Sequence, residues 1–367
     1  MKAIITGGGT GGHIYPALAA AGALKDMGWE ILYVGGYNSL EKKIAAREGI
    51  DFSSVATAPL PRKITPQIIT SLARTVRGLW QSGKIIKSFS PSVILGTGGY
   101  VAGPVVLAGS ILGYKTIIHE QNVYPGITNR ILSRFVDRVA LNFSSAAEHF
   151  PGRVKEKFVV TGNPVRREIL EADYETGINQ LSLSRERSTL LVFGGSQGAA
   201  SINRAMIDVC REFSGQDWMQ ILYITGKKNY NREKDKLQQA DVELVGGNIF
   251  VKPYLYSMEW GYAVADLVVS RAGATALAEI TALGIPAVLI PYPYATGDHQ
   301  MYNARILEEN GAAEVIEDSE LNGELLIRKI KAILSSDERL KKMGESCRKL
   351  GRRDARERMM ELIKSLV

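Results

Sequence analysis

Short runs of apolar residues alternate along this chain with longer stretches whose apolar positions recur at helical spacing. The short runs read as strands at Lys2 to Thr6, Ile31 to Gly35, Val93 to Gly96, Thr116 to His119 and Arg138 to Leu141. A second set reads at Leu190 to Phe193, Gln220 to Thr225, Leu267 to Ser270, Ala287 to Pro291 and Ala313 to Ile316. Strand-helix alternation of this kind predicts an α/β protein with parallel sheets. One pattern occurs twice. Ala3-Ile4-Ile5-Thr6 runs into Gly7-Gly8-Gly9-Thr10-Gly11-Gly12 and then a helical pattern, while Leu190-Leu191-Val192-Phe193 runs into Gly194-Gly195-Ser196-Gln197-Gly198-Ala199 and another. Strand, glycine loop and helix open a Rossmann-like unit, so two such domains are expected, joined near the turn-forming Gly162-Asn163-Pro164. The expected boundaries are 1–163 and 164–345, with 346–367 a C-terminal helix packing back on the first domain.

The 367 residues give room for two cores, and 45% hydrophobic with 23% charged residues fits a globular enzyme. Glycine is abundant, 37 residues, and clustered, which points to backbone approaching a ligand. Cys210 and Cys347 are the only cysteines and form neither a disulfide framework nor a zinc pattern, which fits a reducing cytosol. The apolar run before Gly7 is too short for a signal peptide. Ser88 to Tyr114 lacks any charge, yet Pro91, Pro104 and six glycines break it into strand, loop and helix rather than a membrane span. Much of the net charge of +7 lies between Arg328 and Arg358, read as solvated helix faces. No aromatic-interleaved basic motif marks a nucleic-acid partner.

Gly7, Gly9 and Gly12 satisfy GxGxxG, a weak signal alone. The acidic residue a dinucleotide site needs at the end of the second strand is missing, since Tyr33-Val34-Gly35-Gly36 stands there. Neither loop ends in the Gly-Lys-Ser/Thr of a P-loop. The loops Gly8-Gly9-Thr10-Gly11-Gly12-His13, Gly98-Gly99-Tyr100-Val101-Ala102-Gly103-Pro104 and Gly194-Gly195-Ser196-Gln197-Gly198 follow in order along the chain. With them come His119-Glu120-Gln121-Asn122, Gly162-Asn163-Pro164-Val165-Arg166, Arg271-Ala272-Gly273-Ala274-Thr275, Glu279 and Asp298-His299-Gln300. Together, from residue 3 to about residue 304, these resemble the MurG family, the N-acetylglucosamine transferases that make lipid II. Ala102 and Ala272 stand where the family often has serine.

The resemblance implies a GT-B type fold, two Rossmann-like domains with parallel sheets facing across a cleft. It implies inverting transfer of N-acetylglucosamine from UDP-N-acetylglucosamine to lipid I, with no cofactor required. It places donor-binding at Thr10, Gly11, Gly12, Asn122, Arg166, Ser196, Leu255, Ala274, Thr275, Ala276, Leu277, Ala278, Glu279 and Gln300, with Gly98, Gly99 and Tyr100 as the acceptor-side glycine loop. The chemistry suits these residue types. Negative charge grows on the departing UDP, and N–H groups at a helix start, as after Gly194-Gly195, are placed to meet it, with Arg166 adding a fixed positive charge. A carboxylate such as Glu279 offers two acceptor oxygens to the ribose hydroxyls, which is its role in the family. Gln300 resembles the residue that reads the donor sugar, and Leu255 the position whose backbone meets uracil. No Asp-x-Asp occurs, so a metal-independent transfer is expected. Of the four histidines, His13 follows a glycine loop at a strand's carboxyl end and is assigned as the base or its relay, with Glu120 the second candidate. His119 belongs to a matched segment, and His149 shares no motif.

The acceptor's lipid calls for peripheral docking at the cytoplasmic face of the cell membrane. Between Pro66 and Ser90, Ile68, Ile69, Leu72, Val76, Leu79 and Trp80 form an apolar stripe near Arg62, Lys63, Arg74, Arg77, Lys84 and Lys87. Most of that stripe is expected to cover a sheet. Leu79 and Trp80 are expected to be the exposed pair that meets an anionic inner leaflet. Rival functions are a UDP-N-acetylglucosamine epimerase, a glycolipid synthase on the same fold, or a UDP-binding protein without catalysis.

Overall fold

The computed structural model describes residues 1–58, 67–195 and 197–367. Two units divide the chain: Met1–Arg166 with Asp354–Val367, and Arg167–Arg353. In the first, β1 (Lys2–Thr6), β2 (Glu30–Gly36), β3 (Asp51–Val55), β4 (Val93–Gly96), β5 (Lys115–Glu120), β6 (Arg138–Leu141) and β7 (Phe158–Val160) form one parallel sheet in the order β3-β2-β1-β4-β5-β6-β7. Parallel strands with helices on both faces are buried on both sides, which is why β1 and β4 read as unbroken apolar runs. One face packs on the helix Gly11–Asp26 and the last helix, Ala355–Lys364, through Ile5, Leu24, Met359 and Ile363. The other face packs Ile4, Val34 and Ile94 against Ile86 of the helix Gln67–Phe89 and Val105 and Val106 of the helix Gly99–Ile111.

The second unit holds β8 (Ser188–Phe193), β9 (Met219–Ile224), β10 (Ile249–Lys252), β11 (Leu267–Ser270), β12 (Ala287–Leu289) and β13 (Ala313–Val315), ordered β10-β9-β8-β11-β12-β13 and all parallel. Its larger core sets Leu190, Val192, Ile221 and Val269 against Ile202, Met206 and Val209 of the helix Ala200–Phe213, with Ile330 and Ile333 beside them.

Three strands were not legible in the pattern: β3, β7 and β10. Each is a sheet edge. An edge strand is buried on fewer sides: Asp51 is exposed, and Phe52-Ser53-Ser54 and Phe250-Val251-Lys252 are half covered.

Both sheets reverse their order at one place, between β1 and β4 in the first and between β8 and β11 in the second. Loops leaving the carboxyl ends of strands at such a reversal line the ligand crevice of an open α/β sheet. Those loops are Gly7–Thr10 and Thr97–Gly98 in the first unit, and 194–199 and Arg271–Gly273 in the second. The glycine clusters of the sequence lie at the two reversals.

Candidate active site

In the first unit the loop after β1 threads between side chains that leave no room for a Cβ. A Cβ on Gly7 would lie 1.9 Å from the Thr97 hydroxyl, and one on Gly8 would lie 2.7 Å from the Glu41 carboxylate. The Gly8 amide donates to the Gly98 carbonyl at 3.3 Å, joining the loops that leave β1 and β4. Gly99, with φ +79°, would place a Cβ 2.2 Å from the Gly8 carbonyl oxygen. Tyr33 donates its hydroxyl to the Gly7 carbonyl at 2.6 Å. Tyr100, part exposed, stands over Gly9; burial, then the charge of Glu41, raises its phenol above the ordinary range.

His13 starts the helix behind this loop and is part exposed. Its Nδ1 lies 3.2 Å from the Gly8 carbonyl and 3.3 Å from the Thr10 hydroxyl. A carbonyl only accepts, so Nδ1 carries the hydrogen and Nε2 is left as the basic nitrogen. Nε2 looks toward Gly98, where a Cβ would come within 3.2 Å. Thr97 donates its hydroxyl to the His13 carbonyl at 2.7 Å, fixing the residue between the two loops.

His119 and Glu120 end β5 and are both buried. His119 donates from Nε2 to the Gly162 carbonyl at 2.9 Å, and its Nδ1 accepts from Gln121 at 3.0 Å. Burial lowers its pKa to about 4, so the ring is neutral. Glu120 accepts from the Asn122 amide at 3.0 Å and Asn122 Nδ2 at 3.1 Å, the Gly126 amide at 3.1 Å and Asn129 Nδ2 at 2.8 Å. Its two oxygens hold the loop 120–129 in shape. Arg166 sets its guanidinium 5.1 Å from the Tyr15 ring, and that ring packs where a Cβ on Gly11 would lie 3.3 Å away. The first unit thus gathers His13, Thr10, Gly11, Gly98, Gly99, Tyr100 and Arg166 near one reversal, with Glu120 and Asn122 on the neighbouring strand end.

In the second unit Gly194 and Gly198 are required by backbone. Their Cβ atoms would lie 2.3 Å from the Ala199 nitrogen and from the Thr225 carbonyl oxygen. Gly195, at φ +85°, faces open space. Ser196 lies outside the described residues. Beyond β11, Gly273 precedes the helix Ala274–Leu283, whose Leu277 is core while Ala276 and Ala278 are part exposed. Glu279 is 6% exposed, a covered carboxylate one helical turn from Thr275. Leu255 is buried. Gln300, second residue of the helix His299–Glu309, accepts the Tyr292 amide on Oε1 at 3.0 Å, and its amide nitrogen is the side chain's donor.

Several of these partners escaped the motifs. Glu41 belongs to none of the motifs, yet Gly8, Gly35 and Gly36 make room for its buried carboxylate, which accepts the Gly36 amide at 3.1 Å. The Gly35-Gly36 pair at the end of β2 was the available signal. Asp318 and Ser201, which hold Arg271, carried none. Among the described residues no group of three or more His, Cys, Asp or Glu is placed to hold a metal.

Residues 3–141 match the glycosyltransferase family 28 N-terminal domain and residues 189–359 the glycosyltransferase family 28 C-terminal domain. A protein of Halothermothrix orenii described as a UDP-N-acetylglucosamine–N-acetylmuramyl-(pentapeptide) pyrophosphoryl-undecaprenol N-acetylglucosamine transferase is 50% identical over 364 residues, covering 99% of this chain and 98% of its own. This chain belongs to the MurG family. The crystal structure of Acinetobacter baumannii MurG agrees, with a TM-score of 0.77 and 26% identity over 99% of both chains. The UDP-GlcNAc 2-epimerase of Neisseria meningitidis, solved bound to UDP-GlcNAc, matches the whole chain with a TM-score of 0.69 at 13% identity. That likeness is one of fold, the GT-B type that MurG shares.

On the outside of the first unit the helix Gln67–Phe89 turns Leu72, Val76 and Trp80 to solvent, at successive four-residue steps. Leu79 turns inward against the core and is part covered. Trp80 and Leu79 nevertheless line one groove of about 370 Å³ with Lys84, Lys87, Ile111 and Leu112. Lys84 sits 3.7 Å from the Trp80 ring. Arg62, Lys63, Pro66 and the side chains of Ile68 and Ile69 lie outside the described residues. No helix among the described residues is long and apolar enough to cross a membrane.

Proposed function

We propose that this chain transfers N-acetylglucosamine from UDP-N-acetylglucosamine to the 4-hydroxyl of the N-acetylmuramoyl pentapeptide of lipid I, giving lipid II. The observation that carries this is the 50% identity, end to end, with a relative named for that reaction. In the transfer the acceptor oxygen forms a bond to the anomeric carbon as the bond from that carbon to the diphosphate breaks. The acceptor proton passes to Nε2 of His13, whose Nδ1 hydrogen bond keeps it the accepting nitrogen. Glu120 acts as a positioning residue, because each of its oxygens is already engaged by the loop that carries Asn122. The leaving UDP is stabilised by N–H groups at the helix starts Ala200 and Ala274 and by Arg166, Glu279 takes the ribose, and Gln300 donates to the sugar. The residues Thr10 to Gly12, Asn122, Ser196, Leu255 and Ala274 to Ala278 complete the donor contacts in this reading. Gly98, Gly99 and Tyr100 shape the acceptor side.

Labelled UDP-N-acetylglucosamine with a short-chain lipid I analogue tests the reading. Product is expected only with acceptor present, and an epimerised sugar nucleotide formed without acceptor overturns it. No cofactor enters this scheme. The acceptor's lipid implies peripheral docking on the anionic cytoplasmic leaflet, through Trp80, Val76, Leu72 and Ile111 with Lys84 and Lys87 at the rim. A Val76→Glu, Trp80→Glu variant is expected to lose flotation with anionic liposomes while keeping turnover of the soluble analogue. Unchanged flotation removes this surface from the scheme.

A further inference from the structure

Four adjacent strands of the second sheet, β8, β11, β12 and β13, bring their carboxyl ends to one guanidinium. Arg271, the first residue after β11, donates from Nη1 to the carbonyls of Ile290 and Pro291 just past β12, each at 3.1 Å. The same nitrogen meets Oδ1 of Asp318, in the turn beyond β13, at 2.5 Å. Nη2 donates to Oγ of Ser201 at 2.9 Å, in the first turn of the helix that follows β8. Ser201 in turn donates to Oδ1 of Asp318 at 2.5 Å. The Tyr292 ring lies 5.5 Å from the guanidinium, and Arg271 and Asp318 keep only 12% and 21% of their side chains exposed.

We propose that Asp318, Arg271 and Ser201 form a positioning clamp for the donor nucleotide, and that Arg271 is a strut across the sheet reversal rather than a ligand of the pyrophosphate. An arginine at the mouth of a nucleotide site invites the opposite assignment. Here both terminal nitrogens already meet protein acceptors, Nη1 at two strand ends and Nη2 on one helix. The positive charge is matched by a carboxylate in direct contact. What the clamp supplies is geometry. The helices Ala200–Phe213 and Ala274–Leu283 begin on opposite sides of the reversal, and an anion held by both N-termini needs them at a set separation. Asn303 adds to this by donating to the Ala272 carbonyl at 3.3 Å, two residues before the second helix. Asp318 is the residue on which this depends, because it holds Arg271 and Ser201 at once.

The inference rests on the reading that UDP binds at this reversal, and UDP titration of the intact chain separates the two. Wild type is expected to bind UDP by calorimetry. Failure to do so removes the underlying reading and the clamp with it. Given binding, Asp318→Asn and Arg271→Ala are each expected to weaken UDP by about tenfold. Their double variant should be little worse than either, as members of one network do not add. The KM for the donor should rise in step while the KM for the acceptor analogue stays near wild type, measured at a temperature where circular dichroism shows each variant still folded. Arg271→Lys should not rescue, since one ammonium cannot serve acceptors set in a planar fork. Ser201→Ala, which keeps the ion pair, should lose two- to threefold. If Arg271 instead binds the pyrophosphate, Arg271→Ala weakens UDP while Asp318→Asn leaves it unchanged or tighter. That result, or losses that merely track unfolded protein in all three variants, overturns the clamp.

Discussion

The loops after β1 and after β8 begin alike, strand then glycines then helix, and differ in what their glycines make room for. Around the first, the space is filled by the chain's own side chains: Thr97 at Gly7, the Glu41 carboxylate at Gly8, Tyr100 at Gly9 and Tyr15 at Gly11. Around the second, Gly194 and Gly198 yield to backbone, and Gly195 opens on nothing. A carboxylate buried against Gly8 makes that stretch a poor seat for a diphosphate, whereas Gly195 of the second loop has open space beside it, ahead of the helix Ala200–Phe213. On the reading proposed above, one repeated pattern serves two chemistries: the first loop carries the base, His13, and the second receives the anion.

The sharpest way to break this contrast is His13→Ala. It is expected to lower turnover at saturating substrates by about 100-fold or more while leaving UDP affinity intact. Near-normal turnover would take the base away from the first loop. Paired glycine variants come next. Gly99→Ala meets the Gly8 carbonyl and a positive φ together, and should cost the first unit about 3 kcal/mol in denaturant unfolding. Gly195→Ala meets only its φ, so it should cost about 1 kcal/mol and show mainly as weaker UDP binding. Equal destabilisation by the two would erase the distinction between filled and open loops. The smallest effect concerns His119. Its pKa is lowered to about 4 by burial, so the unfolded chain takes up the proton first as pH falls below about 6.5. Stability of the first unit should drop by about 1 kcal/mol between pH 7 and 5.5, at a slope approaching about 1.4 kcal/mol per pH unit, until the folded ring protonates near pH 4. Urea unfolding across that range checks it, and His119→Gln should flatten the slope.

The central strands were readable because they are apolar on both faces; β3 and β10 were not, because these edges mix Ser, Asp or Lys into short runs, and β7 was not because its apolar run is only three residues long. The glycine loops were readable for a related reason, since few residues other than glycine satisfy those crowded turns. Side chains that act through distant neighbours left no trace. Asp318 lies 47 residues beyond Arg271, and only the order of strands in the sheet makes them partners. Glu120 shows the converse: its motif marked it as a reactive carboxylate, and four hydrogen bonds give it a scaffolding geometry.

The closing helix Ala355–Lys364 contributes Met359, Met360, Leu362 and Ile363 to the core beneath β1. During synthesis the first unit therefore has one apolar face only partly covered, by the helix Gly11–Asp26, until residues 355–364 are made, after the second unit has emerged. A chain cut off before Ala355 would be complete in its second unit and unsealed in the unit made first, a natural target for chaperones and proteases.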